Sequence, residues 1–220
     1  MAVGGPMICV VGMAREAQIL AGMGHTVVIG GADVARLQAA LTTALAQRPD
    51  LAVMSFGVCG GLAPDAYVGE LVVAQAVLHR GQRWECDGAW VARLTRANRA
   101  ARLGTLAGSD VAIPDAAAKL ALWSTTGALA VDMESHVAAR LATEAGRPFA
   151  VVRAISDGAD HTLPPAALNG LRPDGTADVG AVLTALAARP TQLPALIRTA
   201  QGAATAVRTL EAVRDRLLGP

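Results

Sequence analysis

The chain has 220 residues, of which 53% are hydrophobic and 17% charged, and its formal net charge is +1. This length and hydrophobicity are typical of one globular domain, which we expect over residues 1–220, and they exclude an intrinsically disordered protein. The balanced charge lacks the strong basic excess of nucleic-acid-binding proteins, so we expect no nucleic-acid partner.

Three further features bear on cellular location. The cysteines, Cys9, Cys59 and Cys86, are odd in number and form no C-x-x-C pair, which is typical of reduced thiols. The first six residues lack the basic stretch of a secretory signal. Every apolar run is interrupted before about 18 residues, too early to span a membrane. These features predict a soluble cytoplasmic protein.

Predicted strands alternate with predicted helices along the chain. The strands are expected at residues 7–11, 26–29, 51–54, 68–74, 103–107, 127–131 and 148–155. The helices are expected at residues 15–23, 32–48, 134–145, 179–188 and 195–218. Strands that are apolar on both faces predict an α/β domain with a central, mostly parallel mixed sheet flanked by helices.

In such a sheet, ligands bind at the carboxyl ends of the strands. The segment Gly57-Val-Cys-Gly-Gly61 follows a predicted strand, and we expect a glycine-rich loop whose backbone approaches a ligand. The segment also fits a nucleophile elbow around Cys59. Because no helix follows this cysteine, we disfavour that interpretation.

Common cofactor motifs do not occur in the sequence. There is no G-x-G-x-x-G and no Walker A motif. The four histidines show no metal-ligand spacing; they are His25, His79, His136 and His161. We therefore expect neither a metal nor an organic cofactor.

Acidic residues cluster at three strand ends. Val131-Asp-Met-Glu-Ser135 carries two carboxylates, Arg153-Ala-Ile-Ser-Asp157 ends with another, and Glu16 follows the first strand. The plainer interpretation is helix capping, which explains one carboxylate of the first pair better than both. The alternative is that the three strand ends converge on one site.

The acidic segments, taken in order, resemble the superfamily of nucleoside phosphorylases and methylthioadenosine/adenosylhomocysteine nucleosidases. The similar segments are Gly12-Met-Ala-Arg-Glu16, Gly57-Val-Cys-Gly-Gly-Leu-Ala-Pro64, Val68-Gly-Glu-Leu-Val-Val73, Ala130-Val-Asp-Met-Glu134 and Val151-Val-Arg-Ala-Ile-Ser-Asp157. The short stretch between Glu16 and Gly57 and the tail from Leu163 to Arg198 resemble a narrower branch, the hopanoid-associated phosphorylases. Those enzymes remove adenine from adenosylhopane in bacterial hopanoid synthesis.

The resemblance implies roles for individual residues. Asp157 corresponds to the acid that protonates the purine, Glu134 to the carboxylate that holds the ribose hydroxyls, and Glu16 to the carboxylate that positions water. Arg153 corresponds to the arginine beside Glu16. The implied substrate-binding residues are Met133, Ser156, Ser109, Asp110, Ile113, Gly57 and Gly60. Ala112 replaces the usual stacking phenylalanine.

Several functional alternatives follow from the same resemblance. The nucleophile is water or inorganic phosphate, and water is favoured because Glu16 stands where hexameric phosphorylases carry an arginine. Arg15 and Arg36 are the alternative sources of a phosphate site. The substrate is adenosylhopane or, as alternatives, methylthioadenosine, adenosylhomocysteine or futalosine. A ligand-binding protein without turnover is the non-enzyme alternative.

Assembly and membrane contact are the remaining expectations. We expect a homodimer or higher homo-oligomer. A basic amphipathic helix at residues 195–218 either packs on the sheet, which we favour because its apolar face is rich in small residues, or makes weak peripheral contact with the inner membrane and a hopanoid lipid.

Overall fold

Strands and helices alternate along the chain as predicted. A computed structural model describes residues 5–31, 33–168, 170, 172, 174–176 and 178–218. The strands are β1 (Ile8–Val11), β2 (Thr26–Ile29), β3 (Val53–Gly61), β4 (Leu71–His79), β5 (Gln82–Glu85), β6 (Arg102–Gly108), β7 (Ala130–Asp132) and β8 (Phe149–Asp157). The helices are α1 (Ala14–Ile19), α2 (Val34–Gln47), α3 (Gly88–Ala97), α4 (Ala116–Thr126), α5 (Ser135–Glu144), α6 (Pro165–Leu168), α7 (Val179–Ala188) and α8 (Leu193–Leu218), with a 3₁₀ turn at Pro190–Gln192.

Some predictions concern residues outside this description. Residues 1–4, where no secretory signal was predicted, are not among the described residues, and neither is Ala32, the predicted first residue of the second helix. The predicted domain bounds of 1–220 also include these positions. The described residues form a single α/β domain.

The sheet is mixed and mostly parallel. The parallel pairs are β1–β2, β1–β3, β3–β8, β4–β6 and β6–β7. The antiparallel pairs are β3–β7, β4–β5 and β4–β8. With helices on both faces, this arrangement confirms the predicted fold class.

The central strands close a ring. Strand β8 pairs with both β3 and β4, while β6 and β7 link β4 back to the end of β3. Because β7 runs antiparallel to β3 and pairs with it at Gly60 and Gly61, its carboxyl end lies beside the second half of β3. The ring therefore brings the ends of β1, β3, β7 and β8 together.

Alternating residues of each strand pack into two apolar layers. On β1, Ile8 and Val10 contribute to the layer that contains α2 and α5, whereas Cys9 and Val11 contribute to the layer under α1, α3 and α8. All four are fully buried. Burial of each large aliphatic side chain contributes about 2 kcal/mol, so the two layers fix the sheet rigidly.

The glycine-rich segment is strand rather than loop. Residues 57–61 continue β3, because Gly57 to Cys59 pair with β8 and Gly60 and Gly61 pair with β7. A register shift between Cys59 and Gly60 marks where β3 turns from one partner to the other. The prediction ended this strand at Met54 because apolar patterning stops there, but hydrogen bonds to two neighbouring strands extend it.

The sequence did not predict β5 or the helices α3, α4 and α6. Helices α3 and α4 carry capping signals: the Asp87 side chain accepts from Trp90 N–H, and the Asp115 side chain accepts from Ala118 N–H. Gly127, in the left-handed conformation, ends α4. Aspartate before an apolar run and glycine after it therefore predict α4, which carries a residue of the candidate site.

The long helix α8 packs on the sheet. Its buried residues are Gly202, Ala206, Leu210, Val213, Leu217 and Leu218. Gly202 permits close contact, since a Cβ there would collide with the backbone of Ser156. The favoured packed interpretation of this helix is therefore correct for its second half. Within the described residues, no helix is both long and apolar enough to cross a membrane.

Candidate active site

A cavity of about 180 Å³ opens where β1, β3, β7 and β8 end. Four carboxylate side chains line it, those of Glu16, Asp132, Glu134 and Asp157. The other lining residues are Gly12, Met13, Val58, Cys59, Gly60, Val111, Ala112, Ile113, Val131, Met133, Ser156 and Leu163. No lysine or arginine is found among these lining residues.

Glu16 is fixed by three backbone N–H groups. Gly12 and Met13 donate to Oε2 at 2.7 and 2.8 Å, and Val58 donates to Oε1 at 2.7 Å. The carboxylate is 1% exposed, and burial raises its pKa, opposed by Arg153 and by the three N–H groups. Because these contacts come from the turn between β1 and α1 and from β3, the side chain is oriented before any ligand binds.

Arg153 lies beneath the cavity and does not line it. Its fully buried guanidinium donates through Nη2 to Ser55 Oγ at 2.7 Å, lies 2.5 Å from Asp132 Oδ2 and 3.2 Å from Glu134 Oε2, and donates through Nη1 to the Val58 carbonyl at 3.2 Å. The Arg153 guanidinium thus forms ion pairs with two buried acids, Asp132 and Glu134. Such a cluster is stable only while its members remain paired.

The two carboxylates of the Asp-Met-Glu segment have different environments. Asp132 Oδ1 accepts from Ser135 N–H at 3.1 Å, so Asp132 performs the capping role considered for this segment. Glu134 is left facing the cavity. Burial, with the neighbouring charges of Asp132 and Glu16, raises the pKa of Glu134 to about 8, against the opposing effect of Arg153. These surroundings favour the neutral form of the Glu134 carboxyl group.

Two glycines make room for these acids. A Cβ at Gly12 would lie 2.8 Å from Glu134 Oε1. A Cβ at Gly57 would lie 2.7 Å from Arg153 Nη1 and 2.6 Å from Glu16 Cδ, closer than real Cβ atoms approach. Gly57 therefore lies behind the carboxylates rather than in the cavity.

Asp157 is paired with a lysine that sequence reasoning missed. Lys119 of α4 is fully buried, and its Nζ lies 2.5 Å from Asp157 Oδ2. The same ammonium donates to the carbonyls of Gly158 and His161, both at 2.9 Å, so its three protons all have acceptors. Lys119 is the only lysine in a chain with 18 arginines. This exceptional use of lysine is the feature of the sequence that could have singled it out.

The Ser156 hydroxyl lies between the Asp157 side chain and a backbone carbonyl. Its Oγ lies 3.1 Å from the Cys59 carbonyl and 2.7 Å from Asp157 Oδ1. The hydroxyl can donate to an ionised Asp157. When Asp157 is protonated at Oδ1, the hydroxyl can accept that proton's hydrogen bond and donate to the Cys59 carbonyl instead.

The remaining predicted residues divide into two groups. Met133, Ile113 and Gly60 line the cavity. Ser109 and Asp110 do not: Ser109 Oγ donates to the Val111 carbonyl at 2.6 Å, and Asp110 lies outside with other partners. The resemblance carried over the whole loop, but only its second half, from Val111 onward, reaches the cavity.

Asp110 belongs to a separate histidine cluster. Its carboxylate lies 2.6 Å from Arg80 Nη2 and 3.0 Å from His136 Nε2, and the rings of His136 and His79 stack 4.2 Å apart. His79 Nδ1 lies 3.0 Å from the Gly108 carbonyl. The side chains of His79, Asp110 and His136 are close enough to hold a metal ion, although the four histidines show no metal-ligand spacing in the sequence. Arg80 and the Gly108 carbonyl contact two of them, whereas His136 Nδ1 is buried without a hydrogen-bond partner among the described residues.

Cys59 lines the cavity but is poorly suited as a nucleophile. Burial raises the pKa of its thiol well above the ordinary value, against the opposing effect of Arg153, and three neighbouring acids raise it further. A thiol needs the opposite environment to become a reactive thiolate.

Comparison with family models matches residues 9–193 to the phosphorylase superfamily. The chain belongs to the phosphorylase superfamily. This match confirms the resemblance at superfamily level and, with it, the predicted class of enzyme, which cleaves N-glycosidic bonds of nucleosides.

Solved structures with the same fold include three bacterial 5'-methylthioadenosine/S-adenosylhomocysteine nucleosidases. The Neisseria meningitidis protein, with methylthio-immucillin-A, has a TM-score of 0.74 and 17% identity, covering 96% of this superfamily member and 97% of that chain. The Helicobacter pylori protein, with butyl-thio-DADMe-Immucillin-A, has a TM-score of 0.64 and 20% identity, covering 96% and 98%. The Streptococcus pyogenes protein, with 5-methylthiotubericidin, has a TM-score of 0.62 and 19% identity, covering 96% and 98%.

Proposed function

We propose that the protein cleaves the N-glycosidic bond of an adenosyl compound and releases adenine. The supporting observation is that one cavity contains Asp157, backed by Lys119 and Ser156, opposite the fixed carboxylate of Glu16. Breaking this bond builds positive charge on the sugar and negative charge on the departing purine. A carboxylate near the sugar stabilises the positive charge, and a proton donor at the purine neutralises the negative charge.

Asp157 is the proposed general acid at the purine. Protonation of the leaving group lets it depart as a neutral base, and a positioned acid typically contributes about 10²–10⁴-fold in rate. Lys119 holds Oδ2 and Ser156 holds Oδ1, so the carboxyl plane is set before the substrate enters. Pre-set orientation of this kind is itself a large part of catalysis.

Glu16 and Glu134 are the proposed acids at the sugar. Glu16, held by three N–H groups, positions the attacking water, and Glu134 with Met133 binds the ribose. A protonated Glu134 can donate a hydrogen bond to a hydroxyl as well as accept one. Arg153 stabilises these acids from below and touches no substrate, so its role is positioning.

Water is the proposed nucleophile rather than inorganic phosphate. A phosphate dianion requires cationic or N–H donors, yet four acids and no arginine or lysine are among the residues lining the cavity. Arg15, a considered alternative, pairs with Glu211 at 2.7 Å instead. The backbone N–H groups of Gly12, Met13 and Val58 already bind Glu16. We therefore favour hydrolysis, although the branch that the sequence resembles is named for phosphorolysis.

Adenosylhopane is the proposed substrate, with methylthioadenosine, adenosylhomocysteine and futalosine as the alternatives. The supporting observations are the resemblance to the hopanoid-associated branch and the apolar rim formed by Val111 and Leu163. Val111 is 65% exposed, so apolar surface continues outward from the cavity. Ala112 leaves space where an aromatic ring is expected.

The proposed assembly is a homodimer or higher homo-oligomer in the cytoplasm, with no cofactor besides the co-substrate. Light scattering coupled to gel filtration tests the assembly directly. A monomeric mass over the working concentration range would refute that part.

Product analysis tests the proposed activity against a silent binding protein. The protein is incubated in phosphate-free buffer with adenosine, methylthioadenosine and an adenosyl polycyclic lipid, and free adenine is measured by chromatography. We expect adenine from at least the lipid nucleoside. Binding of all three compounds without adenine release would favour the ligand-binding alternative.

A further inference from the structure

An apolar helix of this protein packs against α6 on one side and is exposed on the other. Helix α7 has the sequence Val179-Gly-Ala-Val-Leu-Thr-Ala-Leu-Ala-Ala188, which contains one polar residue and no charge. None of its ten residues is buried. A helix that is hydrophobic all round is normally found inside a protein or a membrane. Its exposure therefore points to a contact that the single chain does not provide.

Exposed apolar residues also occur at the start of α8, which follows α7 in the chain after a short turn. Val179 and Leu183 on α7 are 62% and 59% exposed, and Leu193 and Ile197 on α8 are 45% and 48% exposed. Each pair is spaced by four residues, so its members lie on one face of their helix. This segment, residues 179–198, is distinct from the buried face of α8, which begins at Gly202. Several large apolar side chains exposed within one short segment are typical of an interaction site.

The charges of the segment have one sign. Between Val179 and Arg198 there is no aspartate or glutamate, and the two charged residues are Arg189 and Arg198, both exposed. Exposed apolar side chains combined with arginines and no acids are typical of helices that lie in the interface of an anionic membrane.

Charge favours a lipid surface over a second copy of the chain. In a two-fold contact the same patch meets itself, so residues 179–198 of the second copy would offer no acid to pair with either arginine. Anionic headgroups instead complement both arginines while the four apolar side chains enter the acyl boundary. None of the described helices can span the bilayer, so the contact is peripheral.

The chain connects this segment to the cavity. Leu163 lines the cavity, and Ala14 N–H donates to the Gly175 carbonyl at 2.9 Å, two residues before Glu16. Helix α7 begins four residues after Gly175. We propose that residues 179–198 dock the protein on anionic lipid bilayers. This proposal does not depend on the reaction catalysed.

Vesicle flotation tests the docking surface. We expect the wild type to float with vesicles of equal parts phosphatidylglycerol and phosphatidylcholine, weakly with pure phosphatidylcholine, and less as salt rises. Leu183→Glu/Ile197→Glu should weaken partitioning at least about tenfold, because two charges would enter the acyl boundary. Leu120→Glu, at an equally exposed leucine on α4 (54% exposed), should leave it unchanged.

A second pair of variants separates the patch from net charge. Arg189→Glu/Arg198→Glu should weaken partitioning at least about tenfold. Arg96→Glu/Arg99→Glu on and after α3 changes the net charge equally and should retain binding. Equal losses in both pairs, or no binding to anionic vesicles by the wild type, would overturn the proposal. A change of mass in gel filtration caused by Leu183→Glu/Ile197→Glu, without vesicle binding by the wild type, would assign the surface to a second copy instead.

Discussion

Lys119 Nζ and Asp157 Oδ2 lie 2.5 Å apart in a chain that contains no other lysine. The lysine comes from α4 and the aspartate from the end of β8, so the pair joins a helix to the sheet at the candidate active site. The ammonium also holds the carbonyls of Gly158 and His161. It therefore fixes both the proposed general acid and the loop that follows it.

Replacement of Lys119 should impair both activity and stability. Lys119→Met removes one partner of a buried ion pair, and we expect a loss of about 3–5 kcal/mol in the free energy of unfolding. We expect kcat to fall at least about a hundredfold, with a shifted pH dependence of kcat because the neighbour of the proposed acid has changed charge. Lys119→Arg keeps the charge and should recover part of the activity.

The pH dependence of kcat distinguishes positioning from simple structural support, and it is measured at a temperature at which the variant is folded by circular dichroism. A Lys119→Met protein with wild-type kcat and an unchanged pH profile would contradict this role.

Glu134 should make stability fall as pH rises from acid to alkaline. Its folded-state pKa of about 8 lies above the ordinary value of 4.5, so the folded protein retains a proton that the unfolded chain loses between these values. The stabilisation is complete below about pH 4.5 and is lost as pH rises through about 8. Glu134→Gln removes this titration.

Urea unfolding of both proteins across this range measures the effect. We expect the difference in unfolding free energy, wild type minus Glu134→Gln, to decrease as pH rises. A difference that grows with pH would show that Arg153 keeps Glu134 ionised.

The acidic residues of the site could be predicted from the sequence, but the residues that hold them in place could not. The sequence places three acids at or just after strand ends: Glu16, Glu134 and Asp157. Because the ends of such strands converge, these acids could be expected in one site. Lys119 could not be placed this way because α4 was missed, and its contact with Asp157 joins positions 38 residues apart. The strand character of Gly57 to Gly61 was missed for a related reason. Pairing with β7 and β8 is a tertiary effect that overrides local glycine content.

Gly57 should be intolerant of a side chain. Because a Cβ would meet both Glu16 and Arg153, Gly57→Ala displaces the proposed water-positioning acid, and we expect kcat/KM to drop about tenfold to a hundredfold. Gly88→Ala, at the start of α3 where a Cβ meets nothing within 4 Å, is the matched control. Steady-state kinetics of both folded variants decides the matter. Equal kcat/KM values for Gly57→Ala and Gly88→Ala would mean that the Glu16 side chain can move without loss of activity, which would contradict this prediction.

Phosphate should not be required for turnover. No lysine or arginine is among the described residues that line the cavity, and the N–H groups of Gly12, Met13 and Val58 already bind Glu16, so a phosphate dianion finds few donors there. Adenine release should therefore proceed at the same rate with and without phosphate, and the sugar product should carry no phosphate. Mass spectrometry of the sugar product, with water labelled by ¹⁸O, identifies the nucleophile. A phosphorylated sugar that forms only with added phosphate would reverse this prediction.

Adenine release by Asp157→Asn, compared with the wild type under single-turnover conditions, tests the central claim most directly. Asparagine keeps the shape of the side chain but cannot deliver the proton to the purine, so we expect the rate of bond cleavage to fall about 10²–10⁴-fold. Substrate binding, measured by calorimetry, should persist and confirm a folded site. A folded, substrate-binding Asp157→Asn protein that releases adenine at the wild-type rate would contradict the proposed mechanism.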